Sequence, residues 1–224
     1  MNVFIIPSWY PSDSFPNAGI FFREQAIALA SHLPGVNVGI GTWGSNDPNL
    51  WLDFKTLPQW PRKLFDFKGI QSRTTPIRSN CIEYYRPALT WSRRWKAGNI
   101  DEIVLQNRLS ARAFEEQFGK IDIIHAHVAH PAGYIAMQLS RELGVPYVIT
   151  EHMSPFPLQD FDPQDRWDRW LKPAYQSAAR NVAVSTFLCQ RMTARGIKAQ
   201  VIPNLVDENF FHASTGSYDS HKMV

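Results

Sequence analysis

His125, His127 and His130 follow one short apolar run, and Glu151 and His152 close a second. Imidazole and carboxylate side chains titrate or hydrogen-bond in the range where a proton, a hydroxyl or a metal ion is handled. In an extended strand, His125-x-His127 puts two rings on one side. With His130 and His152 converging, such a set would suit zinc and a metal-dependent hydrolase. Ala129, however, stands where an H-x-H-x-D-H metallohydrolase site would carry Asp. The plainer assignment for His125, between Ile124 and Ala126, is a hydrogen-bonded core residue. A second place for chemistry is Gly19, which ends a loop just before a periodic run. Free N–H groups at a helix start favour an anionic or hydroxyl-rich ligand there, unless Gly19 is only a hinge.

The elements around these residues are legible. Residues 121–124 form a β-branched strand, Ile135, Leu139 and Leu143 mark a helix that stops at Gly144, and 146–150 form a second strand. A strand, crossover helix and parallel strand close right-handed, so both strand ends reach the same sheet edge, where open α/β sheets put ligands. The rest of the chain alternates in the same way. Strands are expected at 3–7, 36–41, 81–86, 181–185 and 200–203. Helices are expected from Ile20 onward, over 100–118 behind an Asn99/Glu102 capping pair, over 164–178 and over 186–195. The fold class is therefore α/β, a Rossmann-like, doubly wound, mostly parallel sheet with helices on both faces. Neither G-x-G-x-x-G nor G-x-x-x-x-G-K-[ST] is present, so NAD and ATP binding have no support and no cofactor is expected.

At 224 residues and 44% hydrophobic, the chain can bury a full core. Its net charge of +3 is unevenly spread: residues 59–96 hold nine Lys/Arg against Asp66 and Glu83, a local +7. Trp43, Trp51, Trp60, Phe65, Phe67, Trp91 and Trp95 fall in or beside that stretch, within an aromatic and basic insertion at about 42–98. Such a mixture suits an anionic membrane surface or lipid acceptor, single-stranded nucleic acid, or a satellite core within an irregular insertion. No nucleic-acid module is recognisable. Two distant cysteines, Cys81 and Cys189, and the lack of a signal-peptide pattern or membrane span point to the cytoplasm. Residues 214–220 look like a solvated linker, and 221–224 like the start of a strand. A domain of 1–212 followed by a linker at 213–224 and a further, donor-binding domain is the expected organisation.

Five ordered pieces carry a family resemblance: WYPSDSFPNAGIFFREQAIALA, DIIHAH, the PAG that opens the next helix, PYVITEH, and NVAVS followed by VIPNLVDENFF. In this order the chain resembles the N-terminal, acceptor-side domain of a family 4 retaining glycosyltransferase of GT-B architecture. The resemblance implies transfer of a sugar from a nucleotide diphosphate sugar to a hydroxyl of a glycan or lipid-linked acceptor, without a metal. His152 matches the histidine of the family's T-x-H motif near the transferred sugar and is the catalytic candidate. The implied substrate-binding set is Ala18, Gly19, Arg23, His127, Glu151, Ser185 and Asn204. Ala18 stands where a second glycine is usual, and Leu205 where glycine is commoner after Asn204. In such enzymes an Arg/Lys pair and an E-x7-E motif on the C-terminal domain hold the donor, so this domain by itself is expected to be inert. A peripheral membrane contact through 59–96 and no nucleic-acid partner complete the expectation.

Overall fold

A strand covered by helices on both faces must be apolar on both, and β1 (Asn2–Pro7) is buried from Val3 onward. The computed structural model describes residues 1–157 and 167–206. After β1 come α1 (Ile20–His32), β2 (Asn37–Thr42), β3 (Trp51–Leu52), α2 (Trp60–Phe67), β4 (Arg73–Arg78), β5 (Cys81–Tyr85) and β6 (Thr90–Trp91). They are followed by α3 (Ile100–Phe118), β7 (Ile123–His127), α4 (Tyr134–Leu143), β8 (Tyr147–Glu151), α5 (Lys172–Ser177), β9 (Arg180–Ala183), α6 (Thr186–Thr193) and β10 (Gln200–Val201).

Among the described residues, eight strands form one sheet in the order β10-β9-β8-β7-β1-β2-β5-β4. All neighbours are parallel except the edge pair β4 and β5. The strand order reverses at β1, since β2 lies on one side of it and β7 on the other. The C-terminal ends of β1 and β7 therefore flank the crevice in which a doubly wound sheet takes its ligand.

Alternating side chains build two cores. Val3, Ile5, Val38, Ile40 and Cys81 pack with Ala26 and Ala30 of α1. On the other face, Phe4, Ile6, Ile82, Ile124, Ala126, Tyr147 and Ile149 pack with α3, α4, α5 and α6 through residues such as Phe114, Ile135, Leu139, Tyr175 and Leu188. Gly39 in β2 is needed for that seating, because a Cβ there would lie 2.5 Å from the Phe114 ring.

Several local expectations are corrected. Asn99 precedes α3 at φ 74° and makes no side-chain cap; its Nδ2 instead donates to the Leu89 carbonyl at 2.7 Å, fastening the loop before the helix. The insertion is more regular than its composition suggests, since it contributes α2, the β3–β6 pair and β4. β4 escapes a sequence reading because it is an edge strand, exposed at nearly every position and interrupted at Pro76, where a parallel interior strand could not tolerate the missing N–H. β9 stops at Ala183, and Ser185 is extended and caps α6. Of the helix expected over 164–178, the described part is a π-type turn at Trp167–Leu171 leading into α5; its start, like the expected linker and the residues after 206, lies outside the described residues.

Candidate functional site

His127 is the last residue of β7 and is level with Pro7 and Thr150 of its neighbours. The pleat turns it, with His125, toward the face that carries α1. His152 follows β8 directly, and its Nε2 lies 3.2 Å from His127 Nδ1. His125 hydrogen-bonds Thr150 Oγ1 through Nε2 at 2.8 Å, and its ring centroid is 4.2 Å from that of His127. From the first turn of α1, Phe22 stacks on His127 at 4.4 Å and meets His152 edge-on at 5.0 Å, while Phe21 lies 5.1 Å from His152.

Gly19 is what lets α1 start this close. It sits buried at φ 70° ahead of the helix, and a Cβ on it would come within 2.7 Å of both the Trp9 carbonyl and its indole. The glycine loop and the histidine pair therefore meet at one edge of the sheet, joined through Phe22.

Burial holds these imidazoles neutral. It lowers His125 and His152 from 6.5 to about 4 and holds His127 well below 6.5, with the neighbouring rings adding to the effect at His127 and His152. Two neutral rings sharing one hydrogen bond have one proton between them at the contact. Their outer nitrogens, His127 Nε2 and His152 Nδ1, are buried and without a hydrogen-bond partner. Whichever tautomer forms, one of these atoms carries a proton and the other a lone pair. A hydroxyl, which both donates and accepts, matches that pair.

Glu151 points the other way. It is 1% exposed; Oε2 accepts from the Ala129 amide at 3.1 Å and the Tyr175 hydroxyl at 2.5 Å, and Oε1 from the amides of His152 at 3.0 Å and Met153 at 2.8 Å. Burial raises its carboxyl, and these donors pull against that rise. The carboxyl thus fixes the loops after β7 and β8, and with them the backbone of His152. Val128, in the same turn, has φ 73°, a conformation costly for a β-branched residue. Its carbonyl accepts from the Gly133 amide at 3.0 Å, and Ser8 Oγ accepts from the Ala132 amide at 3.2 Å, so the strained turn is tied on both sides. His130, buried in that turn, faces a neighbouring cavity and not the histidine pair. Among the described residues no three His, Cys, Asp or Glu side chains are grouped to hold a metal ion.

The family model for Glycosyltransferase Family 4 matches residues 57–210, more than half of the chain. The chain belongs to glycosyltransferase family 4. No curated protein matches it. Among solved structures it is similar to the UDP-GlcNAc 2-epimerase of Neisseria meningitidis, solved bound to UDP-GlcNAc, with 12% identity over 91% of this chain and TM-score 0.48. It is also similar to the UDP-N-acetylglucosamine 2-epimerase of Rickettsia bellii, with 11% identity over 89% and TM-score 0.46. The chain covers 47% and 43% of the length of these two epimerases. A short-chain dehydrogenase of Oenococcus oeni has 11% identity over 91% of this chain and 96% of its own, with TM-score 0.37.

Within this family 4 chain the remaining expected site residues are spread along the same sheet edge. Ala18 and Gly19 lie before the matched stretch and reach the histidines through Phe22. Arg23 is half-buried on the β2–β5 side of α1, where its charge acts on Tyr10, Cys81 and Glu83; it is not drawn into the histidine pair. Ser185 is exposed, and its Oγ caps α6 by accepting from the Leu188 amide at 3.2 Å. Asn204 is exposed just past β10. Phe21, Phe22, Val128 and Tyr175 shape the site without any sequence signal of their own. Aromatic pairs in a helix read as core, and a strained valine reads as strand.

Proposed function

We propose that residues 1–212 are the acceptor-side half of a retaining glycosyltransferase of GT-B architecture, with 213–224 leading into a donor-binding domain. The reaction is transfer of a sugar from a nucleotide diphosphate sugar to a hydroxyl of a glycan or lipid-linked acceptor. The observation that carries this reading is the pairing of His127 and His152 at the sheet's ligand edge, beside the Gly19 start of α1, in a family 4 chain. His152 contacts the transferred sugar, His127 orients it, Ala18 and Gly19 let substrate approach the helix start, and Glu151 positions the His152 backbone. Ser185 and Asn204 line the path toward the donor domain. Neutralising the leaving diphosphate is the task of cations on that domain, and positioning supplies much of the rate.

A metal-dependent hydrolase fits the geometry less well. His125 is committed to Thr150, His127 and His152 to each other, and His130 to another cavity. The deciding test offers the full-length protein a panel of uridine, guanosine and adenosine diphosphate sugars with glycan and lipid-linked acceptors. Expected are nucleoside diphosphate release and a product that keeps the donor's anomeric configuration by NMR. An inverted product, or hydrolysis dependent on added zinc, would sink the proposal.

The protein is expected to work in the cytoplasm against a membrane surface. No helix among the described residues is long and apolar enough to cross a membrane. The amphipathic α2, however, buries no residue, and Phe65 on it is 77% exposed, with Leu57 and Leu64 also exposed. Arg62, Lys63 and Lys68 belong to the same +7 stretch. Apolar residues beside a basic field suit an anionic bilayer, at about 1 kcal/mol per cation near the surface. Vesicles containing phosphatidylserine are expected to retain the chain at low salt and release it at high salt, with Phe65→Asp weakening retention. No co-sedimentation at low salt would end the membrane assignment.

A further inference from the structure

Between the ends of β1 and β2 and the β3–β6 pair lies a cavity of about 170 Å³. Its lining includes Trp9, Trp43, Trp51 and Trp91 together with Asn46 and Arg93, and none of the described lining residues is acidic. We propose that this cavity receives one sugar ring of the acceptor, deepening the glycosyltransferase reading on which it rests.

Three observations carry it. The volume falls below the ~300 Å³ at which pockets for drug-sized ligands begin, so it suits a single ring and excludes a whole nucleotide diphosphate sugar. The wall chemistry is two-sided in the way a pyranose is. Indole faces pack against the sugar's C–H faces, while hydroxyl and amide groups at the rim hydrogen-bond its hydroxyls. Finally, the cavity adjoins the candidate site: Trp9 closes over Gly19, His130 belongs to the strained turn that follows His127, and Ser8, at the end of β1, is hydrogen-bonded to that turn. A ring held here would extend toward the histidine pair.

The walls are fastened before any ligand arrives. Asn46 Nδ2 donates to the Tyr10 carbonyl at 3.3 Å, and Trp91 Nε1 to the Trp95 carbonyl at 3.1 Å. Lys63 Nζ donates to the carbonyls of Pro48 at 2.9 Å and Trp51 at 2.7 Å, which ties the exposed helix α2 to the cavity wall. An acceptor whose sugar occupies the cavity can thus leave its lipid on the α2 side.

The test is saturation-transfer NMR of the 224-residue chain with the methyl pyranosides of glucose, galactose, mannose and glucuronic acid, and with uridine as the competing ring. Trp51 is the residue to change because it is 39% exposed, so its truncation leaves the core intact. Expected is transfer to the ring protons of at least one pyranoside, an affinity at least tenfold weaker in Trp51→Ala, and recovery in Trp51→Phe. In the full-length enzyme Trp51→Ala should raise KM for acceptor and leave KM for donor unchanged. Pyranoside binding that ignores Trp51, no binding by any of the four, or binding of uridine alone through Trp51 overturns the proposal. Sugar transfer that is insensitive to Trp51 overturns the cavity and spares the function. Pyranoside binding through Trp51 without any sugar transfer sustains the cavity and refutes the function.

Discussion

Lowering the pH from about 7.5 to about 5 is expected to cost this chain most of its stability, because it buries histidines that must be neutral to fold. His125 and His152 are half-buried and held near 4, and the buried His127 and His130 are held well below 6.5. The unfolded chain takes up protons below about 6.5, while the folded chain refuses them until near 4. Stability is therefore full above about pH 6.5 and falls as pH drops through that window. At pH 5 His125 and His152 would each have withdrawn at most about 2 kcal/mol. Glu83 and Glu151, raised by burial, titrate with the opposite sign, so the net loss is set by four histidines against two carboxyls. Against a typical total of about 5–15 kcal/mol, that is a large share of the domain's stability. Urea midpoints measured across this range should fall steeply below pH 6.5, with a shallower slope in His125→Gln. A midpoint unchanged between neutrality and pH 5 would show that these rings are not buried neutral.

His152→Ala in the full-length enzyme is expected to lower kcat by about a hundredfold or more, in line with the loss of one positioned polar group at a reacting centre. The expected cost in stability is much smaller. His152 is half-buried, and truncating it removes the contact with His127 and the ring contacts with Phe21 and Phe22 but opens no deep cavity. The pairing makes a sharper forecast: His127, left with both ring nitrogens unpartnered, should become easier to protonate from solvent, so its NMR titration should move upward in the variant. Equal turnover in wild type and variant would remove His152 from the reaction. Equal loss of turnover and thermal stability would make it a purely structural residue.

Much of the scaffold was legible without coordinates. The β-branched runs of β1, β7 and β8, the helix stops at Gly119 and Gly144, and the alternation of strand and helix outside the insertion point to a parallel sheet. From that alone His127, Glu151 and His152 had to arrive at one sheet edge. Local pattern failed where a segment is exposed or strained. β4 and α2 present polar or unpartnered faces and give no core periodicity, and Asn99 has the composition of a cap but serves to pin a loop.

The amino-acid order, through the two-residue period of a strand and the single hand of a crossover, determined which elements form and which residues finish their strands together. Tertiary structure decided what those residues do. The pleat sends His127 toward α1 and its level neighbour's successor, Glu151, toward α5, so residues adjacent in sequence face opposite cores. Which nitrogens of the histidine pair are left over, which carboxyl is consumed by four donors, and which tryptophans close on one cavity all depend on contacts between segments far apart in the chain, and no local period encodes them.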